Sequence, residues 1–221
     1  MTELERQLRP LLTPVLGGYL RPWMTLSEDP ESCKVWVVGA NPAKTFPTES
    51  IGSFETYVDA LFNRNGHSFR ELYDDITGGQ PSPTRRNLDR LREMLESNGI
   101  QDVLETNINC FPTRMSADLQ APSNREGRDR GKAIFDLLLA TGKPNAVWLN
   151  GAGTANKFRS RYEPGLPSSL APGERFKSEE LNGRLYILTQ SLAPPAFNRW
   201  QRDFDDVLFQ AAKAIAIHLQ V

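Results

Sequence analysis

Amide side chains are the groups in this sequence whose positions suggest chemistry. Asn41 follows the apolar run Val-Trp-Val-Val at 35–38 and lies in the loop 39–43 (Gly-Ala-Asn-Pro-Ala), which holds no acid and no nucleophile. A carboxamide offers one carbonyl oxygen and two N–H donors, so it can hold a water molecule but cannot take its proton strongly. A reaction at this loop would therefore need little base catalysis and a leaving group that departs readily.

Two more amides lie on the segment 106–109 (Thr-Asn-Ile-Asn). Side chains two positions apart on a strand point to the same side, so Asn107 and Asn109 would share a face. An amide at a strand end can bind the donor and acceptor pattern along the edge of a nucleobase. The simpler alternative is that the polar residues of this segment belong to a turn before Pro112. An ordinary turn is also the simpler alternative for Asn41.

The other residue types that carry chemistry are few or unsuitably spaced. The loop 151–155 (Gly-Ala-Gly-Thr-Ala) lacks the full glycine fingerprint of a dinucleotide site and the Lys-Ser/Thr pair of a P-loop, which favours a tight turn. His67 and His218 are far apart, and Cys33 and Cys110 form no CxxC pair. The sequence therefore predicts no metal site, no cofactor, no disulfide framework and no histidine-based catalytic triad.

The elements that would position these amides follow from the hydrophobic pattern. Predicted strands are 35–38, 103–110, 146–149 and 185–189, and predicted helices are 1–13, 54–63, 84–98 with Thr84 as its N-cap, 125–141 and 199–219. Residues 162–183, rich in Pro, Gly and charge, are predicted to form a long loop. The alternation predicts an α/β fold, a three-layer α/β/α arrangement with a central four-stranded parallel sheet. Because sites in such folds lie beyond the carboxyl ends of the strands, we expect the site in loops 39–54, 106–114, 150–157 and 190–200.

Composition limits the classes of function. The chain has 221 residues, which is room for one α/β domain over 1–221. The net charge of −1, from 26 basic and 27 acidic residues, excludes a protein that binds nucleic acid through bulk charge. Between 150 and 202, however, eight basic residues outnumber four acidic ones, a local surplus that phosphate contacts need, although a solvated face is the plainer alternative. The apolar runs are too short for a membrane helix, and the charged N-terminus lacks a signal core, so we expect a cytoplasmic protein.

The four loops, taken in order, resemble the uracil-DNA glycosylase superfamily over residues 33–210. Loop 39–43 looks like the family's water-activating motif, in the variant with Asn that marks the single-strand-selective and mismatch-specific branches. Phe54 lies thirteen residues after Asn41, about the distance at which the family places its base-stacking Phe. Segment 106–112 looks like the strand that carries the family's base-reading Asn, and either Asn107 or Asn109 matches it.

The resemblance implies a monofunctional DNA glycosylase, which flips a uracil or a modified pyrimidine out of the helix and hydrolyses its N-glycosidic bond to leave an abasic site. Asn41 and a backbone carbonyl near Ala40 would hold the attacking water, Phe54 would stack on the base, and N–H groups near Ala40 and Ala43 would stabilise its oxygen. The implied DNA-binding residues include a minor-groove wedge and phosphate contacts: Lys157, Ser191, Ala193, Pro194, Pro195, Phe197, Asn198 and Arg199. The expected partner is DNA, with no membrane and no metal, and the expected state is a monomer.

One departure from the family pattern keeps three alternatives open. The family has a His in its last motif, where this sequence has Ala193, or Ser191 if the loop is shifted, and neither side chain can act like an imidazole. The alternatives are a slower uracil enzyme, an enzyme for a different base, and a DNA-binding member without chemistry. The superfamily includes antiviral glycosylases that remove glucosylated cytosines from phage DNA, and the space left by Ala193 admits such a bulky base. Outside the family, a nucleotide-binding α/β protein that uses loop 151–155 is a further alternative.

Overall fold

The computed structural model describes residues 1–167, 170–171 and 173–220. Its α-helices are α1 Glu3–Leu12, α2 Phe54–Leu61, α3 Phe69–Thr77, α4 Pro83–Ser97, α5 Arg125–Gly142, α6 Ala152–Arg161 and α7 Phe204–Leu219. Its strands are β1 Gly18–Tyr19, β2 Trp23–Met24, β3 Val35–Gly39, β4 Phe46–Pro47, β5 Val103–Asn107, β6 Ala146–Asn150, β7 Phe176–Leu181 and β8 Arg184–Thr189. None of the described helices combines the length and the apolar content that a membrane span requires.

The fold is mixed α/β, with a central sheet of strand order β2-β5-β3-β6-β8-β7 and a separate β1-β4 pair. The β3–β6 and β6–β8 pairs are parallel, whereas the β2–β5 and β7–β8 pairs are antiparallel. The predicted α/β class is confirmed, and the four predicted strands correspond to β3, β5, β6 and β8. The predicted strand number is wrong: within the described residues the central sheet has six strands rather than four, because β2 and β7 extend its two edges.

Strand β7 corrects the prediction of a loop over 162–183. It forms a hairpin with β8 through the two-residue turn Asn182-Gly183, where φ is 55° and 74°. Positive φ at both central residues is what a type I′ turn requires, and Asn-Gly is the pair best suited to it. The hydrophobic pattern does not predict this strand, because β7 is a half-exposed edge strand with charged side chains. Residues 168, 169 and 172 of the predicted loop lie outside the described residues.

By their internal contacts the residues group into two compact units, which are described separately. The first unit comprises 1–33, 39–79 and 104–143, and the second comprises 34–38, 80–103 and 144 onwards. The core of the second unit is one apolar cluster in which strands and helices meet; it includes Trp148 of β6, Ile187 of β8, Leu91 and Leu95 of α4, and Leu208 of α7. The prediction of one domain over 1–221 stays a prediction.

Two predicted helix starts in the second unit are wrong. Helix α4 begins at Pro83, and its N-cap is Ser82, whose hydroxyl accepts the N–H of Arg85 at 3.1 Å, rather than Thr84. Proline suits this first helical position because the N–H that it lacks would have no partner there. Helix α7 begins at Phe204 instead of 199, because a short 3₁₀ turn at Phe197–Arg199 precedes it.

In the first unit, two glycines of α5 let a loop approach the helix closely. A side chain at Gly131 would meet the Asn109 amide oxygen, and its Cβ would lie 2.5 Å from the backbone nitrogen of Phe111. A Cβ at Gly127 would meet the ring of Phe111. The carbonyl of Gly131 also accepts the N–H of Cys110 at 3.1 Å. Segment 109–111, which follows β5, is therefore seated on α5.

Candidate active site

In the first unit, the loops that follow β3 and β5 are tied together by their backbones. Three N–H···O bonds join them: Ile108 to Gly39 at 2.9 Å, Asn109 to Ala40 at 3.1 Å, and Thr113 to Pro42 at 3.0 Å. These bonds continue past the ends of both strands, so loop 39–43 has a defined position against segment 108–113. The two sequence motifs predicted to share a site therefore meet.

The carboxamide of Asn41 is half-buried and fixed by three residues. Its Nδ2 donates to Thr113 Oγ1 at 2.8 Å, and the carbonyl oxygens of Thr113 and Pro42 lie at 3.2 Å from the same nitrogen. Its Oδ1 accepts the hydroxyl of Ser116 at 2.5 Å. Asn41 is thus more than a turn residue, because its side chain fastens the loop after β3 to the chain that follows β5.

Asn107 ends β5 and presents its carboxamide to Gly39. The Asn107 Oδ1 atom lies 2.5 Å from the position that a Cβ on Gly39 would take, so any larger residue at 39 would displace it. The side chain is half-buried, and the described residues show no hydrogen bond to it. Asn107 therefore retains unused hydrogen-bonding capacity at the strand end.

Asn109, the alternative to Asn107, is buried and bonded within the fold. Its Nδ2 donates to the carbonyl of Arg128 in α5 at 2.8 Å, and its Oδ1 accepts the N–H of Phe111 at 3.0 Å. These contacts hold segment 109–111 on α5 and engage both ends of the amide. The neighbouring Cys110 is fully buried, and burial raises the pKa of its thiol to about 12. The thiol stays protonated at neutral pH, so it is not a nucleophile.

Phe54 is the first residue of α2, after the N-cap Ser53. Its half-buried ring is stacked with Tyr19, at 6.3 Å between centroids and 25° between planes, and is tilted against Tyr57 at 6.3 Å. The guanidinium carbon of Arg9 lies 5.3 Å from the centre of the Phe54 ring. These contacts are those of a packing residue, whereas the sequence predicted a ring free to stack on a base.

We expect replacement of Phe54 by alanine to lower the free energy of unfolding by about 1–3 kcal/mol, because it removes buried area and two aromatic contacts. Phe209→Ala is the matched control, since that ring is 49% exposed on α7. Urea denaturation of the two variants measures the difference. Equal stability of the two variants would show that the contacts of Phe54 contribute little to the free energy of unfolding. The ring would then again be a candidate for stacking on a base.

The remaining predicted site residues of the first unit are Ala40 and Ala43 in loop 39–43, and their predicted roles use backbone groups. The carbonyl of Ala40 accepts the N–H of Asn109 and keeps a second lone pair, and Ala43 is exposed. A cavity of about 270 Å³ opens nearby, with Thr113, Arg114 and Asp118 in its wall. Neither Phe54 nor Asn107 belongs to that wall, so the predicted base-binding residues do not form this cavity.

In the second unit, the segment that follows β8 is anchored at three points. The N–H of Leu192 donates to Asn150 Oδ1 at 2.8 Å, and the carbonyl of Leu192 accepts from Asn87 Nδ2 at 2.8 Å. The carbonyl of Ser191 accepts from Trp200 Nε1 at 3.1 Å. Ala193 is half-buried, and its N–H donates to the hydroxyl of Ser191 at 3.1 Å. The segment thus has a defined conformation without an imidazole.

The predicted DNA contacts of this unit differ in their exposure. Pro194 and Pro195, joined by a cis peptide bond, are exposed, as are Lys157, Asn198 and Arg199. Phe197 instead packs edge-to-face on Trp200 and Phe204, with ring centroids 5.6 Å and 4.9 Å apart, and Ala196 beside it is half-buried. An apolar wedge in this segment would therefore consist of the two prolines rather than Phe197.

Thr113 and Ser116 are the site residues that the sequence pattern missed. They lie 72 and 75 positions after Asn41, and no periodic or local motif relates residues so far apart.

Within the described ranges, no group of three potential metal ligands is present. Comparison of the chain with protein-family models and with curated proteins yields no match. The candidate site therefore rests on the contacts given above.

Proposed function

We propose that this protein is a DNA glycosylase, which hydrolyses the N-glycosidic bond of a flipped-out uracil or modified pyrimidine. The observation that carries the proposal is the junction in the first unit, where Asn41 is held in one orientation and Asn107 keeps an unengaged carboxamide against Gly39. One amide is positioned to hold a water, and the other is available to bind a base edge. Both lie at the carboxyl ends of strands, where α/β folds bind their ligands.

The reaction needs only what these residues supply. The flipped base is held by the carboxamide of Asn107. As the bond between C1′ and the base nitrogen breaks, its electron pair leaves with the base and the sugar gains oxocarbenium character. A water held by Asn41 Oδ1 and the free lone pair of the Ala40 carbonyl adds to C1′. The water's surplus proton passes to solvent, and the departing base takes up a proton, so no strong protein base is required.

The second unit would supply the contacts with the nucleic acid. Lys157 and Arg199 are exposed and would bind phosphates, a role that needs charge but no sequence information. The exposed Pro194 and Pro195 suit a wedge in the minor groove, where apolar side chains part the base steps. The side chain of Ala193 cannot donate a hydrogen bond, so the proposal requires a base that departs readily without an imidazole. A catalytically silent DNA-binding protein is the second candidate.

The experiment is an alkali-cleavage assay for abasic sites. Purified protein is incubated with labelled oligonucleotides that carry uracil, hypoxanthine or hydroxymethyluracil, and with phage DNA that carries glucosylated hydroxymethylcytosine. Strand breaks support the proposal, and the substrate that gives them identifies the base. Cleavage of the phage DNA alone would support an antiviral role. Intact DNA of every kind, with binding retained at low salt, would support the silent binder instead.

Asn107→Ala should weaken base recognition without unfolding the protein. No hydrogen bond within the described fold is lost, so stability should change by less than about 0.5 kcal/mol. A base contact of this kind contributes about 1–3 kcal/mol of discrimination, and the loss should appear in kcat/KM for the best substrate. Gly39→Ala should reproduce the defect, because its Cβ would displace Asn107 Oδ1.

Asn109→Ala is the matched comparison for Asn107→Ala. It leaves the buried Phe111 N–H without its acceptor and removes the bond to the Arg128 carbonyl, and should lower the free energy of unfolding by about 1–3 kcal/mol. Denaturation curves and kcat/KM are measured on both variants. Unchanged kcat/KM in Asn107→Ala would remove Asn107 from the base site.

A further inference from the structure

The orientation of the Asn41 carboxamide is determined by its neighbours. Two carbonyl oxygens, those of Pro42 and Thr113, face one end of the amide at 3.2 Å. A carbonyl oxygen only accepts, so this end must be the NH₂ group. The hydroxyl of Thr113 agrees: it donates its proton to the carbonyl of Met115 at 2.8 Å, which leaves its lone pairs to accept from Asn41 Nδ2.

The remaining hydrogen-bonding capacity of Asn41 can be counted. The NH₂ group has two protons, and three acceptor atoms of Pro42 and Thr113 compete for them. The oxygen Oδ1 has two lone pairs, and the hydroxyl of Ser116 occupies one of them at 2.5 Å. Asn41 can therefore accept one further hydrogen bond and donate none.

We infer that Ser116 is a positioning residue: it directs the one free lone pair of Asn41, whose NH₂ group is already engaged by Pro42 and Thr113, toward the attacking water. This inference rests on the proposed function and deepens it. The hydroxyl of Ser116 fixes Oδ1 on one side, so that the free lone pair has one direction. A group with this capacity binds the O–H of a water or another donor, and it rejects the carbonyl oxygen of a base, which needs a donor. Asn41 thus binds the water, and other residues bind the carbonyl groups of the base.

The segment that carries Ser116 is itself held in place. Ser116 opens the 3₁₀ turn Ser116–Gln120, and the Asp118 carboxylate accepts the N–H of Met115 at 2.9 Å. The carbonyl of Asp118 accepts from Asn124 Nδ2 at 2.8 Å, which ties the turn to the residue before α5. Ser116 is exposed, so its bond to Asn41 contributes little to overall stability. A loss of activity on its removal would accordingly report on position rather than on unfolding.

Ser116→Ala tests the inference, with Ser123→Ala as the matched control at an exposed serine in the neighbouring 3₁₀ turn. The side-chain amide signal of Asn41 in a nitrogen–proton NMR spectrum should shift in Ser116→Ala and stay in place in Ser123→Ala. In steady-state kinetics with the best substrate of the abasic-site assay, kcat should fall about tenfold or more because the water is misplaced, while KM stays constant. Ser116→Thr, which keeps the hydroxyl, should restore most of kcat.

The outcomes separate the inference from the proposed function. Active wild-type protein with an unchanged kcat in Ser116→Ala would overturn the inference and leave the glycosylase assignment standing. A higher KM at constant kcat would also overturn it, because Ser116 would then contribute to substrate binding. Wild-type protein that releases no base from any DNA would overturn the proposed function and the catalytic role of Ser116 with it, whatever the NMR signal shows.

Discussion

Replacement of Asn41 by alanine should lower kcat for base release by about 10²-fold or more, the range typical for loss of a group that acts directly on a reacting proton or water. The variant removes Asn41 Oδ1, which keeps a free lone pair at the junction between the loops after β3 and β5. It also removes the hydrogen bonds from Asn41 Nδ2 to the carbonyl and the hydroxyl of the buried Thr113, which should cost about 1–3 kcal/mol of stability. Single-turnover kinetics at saturating enzyme separate the loss of chemistry from weaker binding.

Thr113→Val is the control for the stability cost of Asn41→Ala. It removes the 2.8 Å bond to Asn41 Nδ2 and the bond to the Met115 carbonyl, but it leaves Asn41 Oδ1 with its partner Ser116. We expect similar destabilisation in the two variants and a much smaller loss of kcat in Thr113→Val. Equal losses of kcat would mean that Asn41 acts only by fastening the loops, and full activity in Asn41→Ala would remove the water-holding role altogether.

The contacts of Asn41 also explain why this position suits an amide better than a carboxylate. Aspartate at 41 would turn an oxygen toward the carbonyls of Pro42 and Thr113, where Asn41 places its NH₂ group. Two oxygens without a proton between them repel each other, and the half-buried setting strengthens that repulsion. A stronger proton acceptor is therefore incompatible with this junction as it is built. The proposed reaction would therefore proceed with a weak proton acceptor, which requires a leaving group that departs readily.

Contiguous apolar runs made the central strands predictable from the sequence. The runs that became β3, β6 and β8 are buried in the apolar core, and burial on both faces requires apolar residues at successive positions. Helix α3 was missed although its start carries a capping box, in which Ser68 accepts the N–H of Glu71 and the Glu71 carboxylate accepts the N–H of Ser68. The capping box is the sequence feature that indicates this helix, and hydrophobic periodicity alone does not include it.

The site itself was only half predictable. The positions of Asn41 and Asn107 followed from strand ends, because strand ends are visible as the limits of apolar runs. The choice between Asn107 and Asn109 could not be made, since it depends on a carbonyl of α5 that binds one amide and not the other. Thr113 and Ser116 were invisible for the same reason: what gives them a role is a tertiary contact, and the sequence records no distance between residues so far apart.

Helix α5 and segment 109–111 pack closely at Gly131. We expect Gly131→Ala to lower the free energy of unfolding by about 1–3 kcal/mol, although alanine is the better helix former by about 1 kcal/mol. The added Cβ would lie 2.5 Å from the backbone nitrogen of Phe111 and 3.0 Å from that of Cys110. Backbone atoms cannot rotate away as a side chain can. The loop must therefore lift off α5, which also strains the Asn109 bond to the Arg128 carbonyl.

Gly153→Ala in α6 is the matched control, because no atom beyond its chain neighbours and its own helix backbone lies within 4 Å of the added Cβ. It should leave stability unchanged or raise it by up to about 1 kcal/mol, as helix propensity alone dictates. Chemical denaturation of both variants measures the contrast. A stable Gly131→Ala variant would show that segment 109–111 can move away from α5 at little cost. Since Asn107 lies only two residues before Asn109, its carboxamide would then lack the rigid support that the proposed base recognition requires.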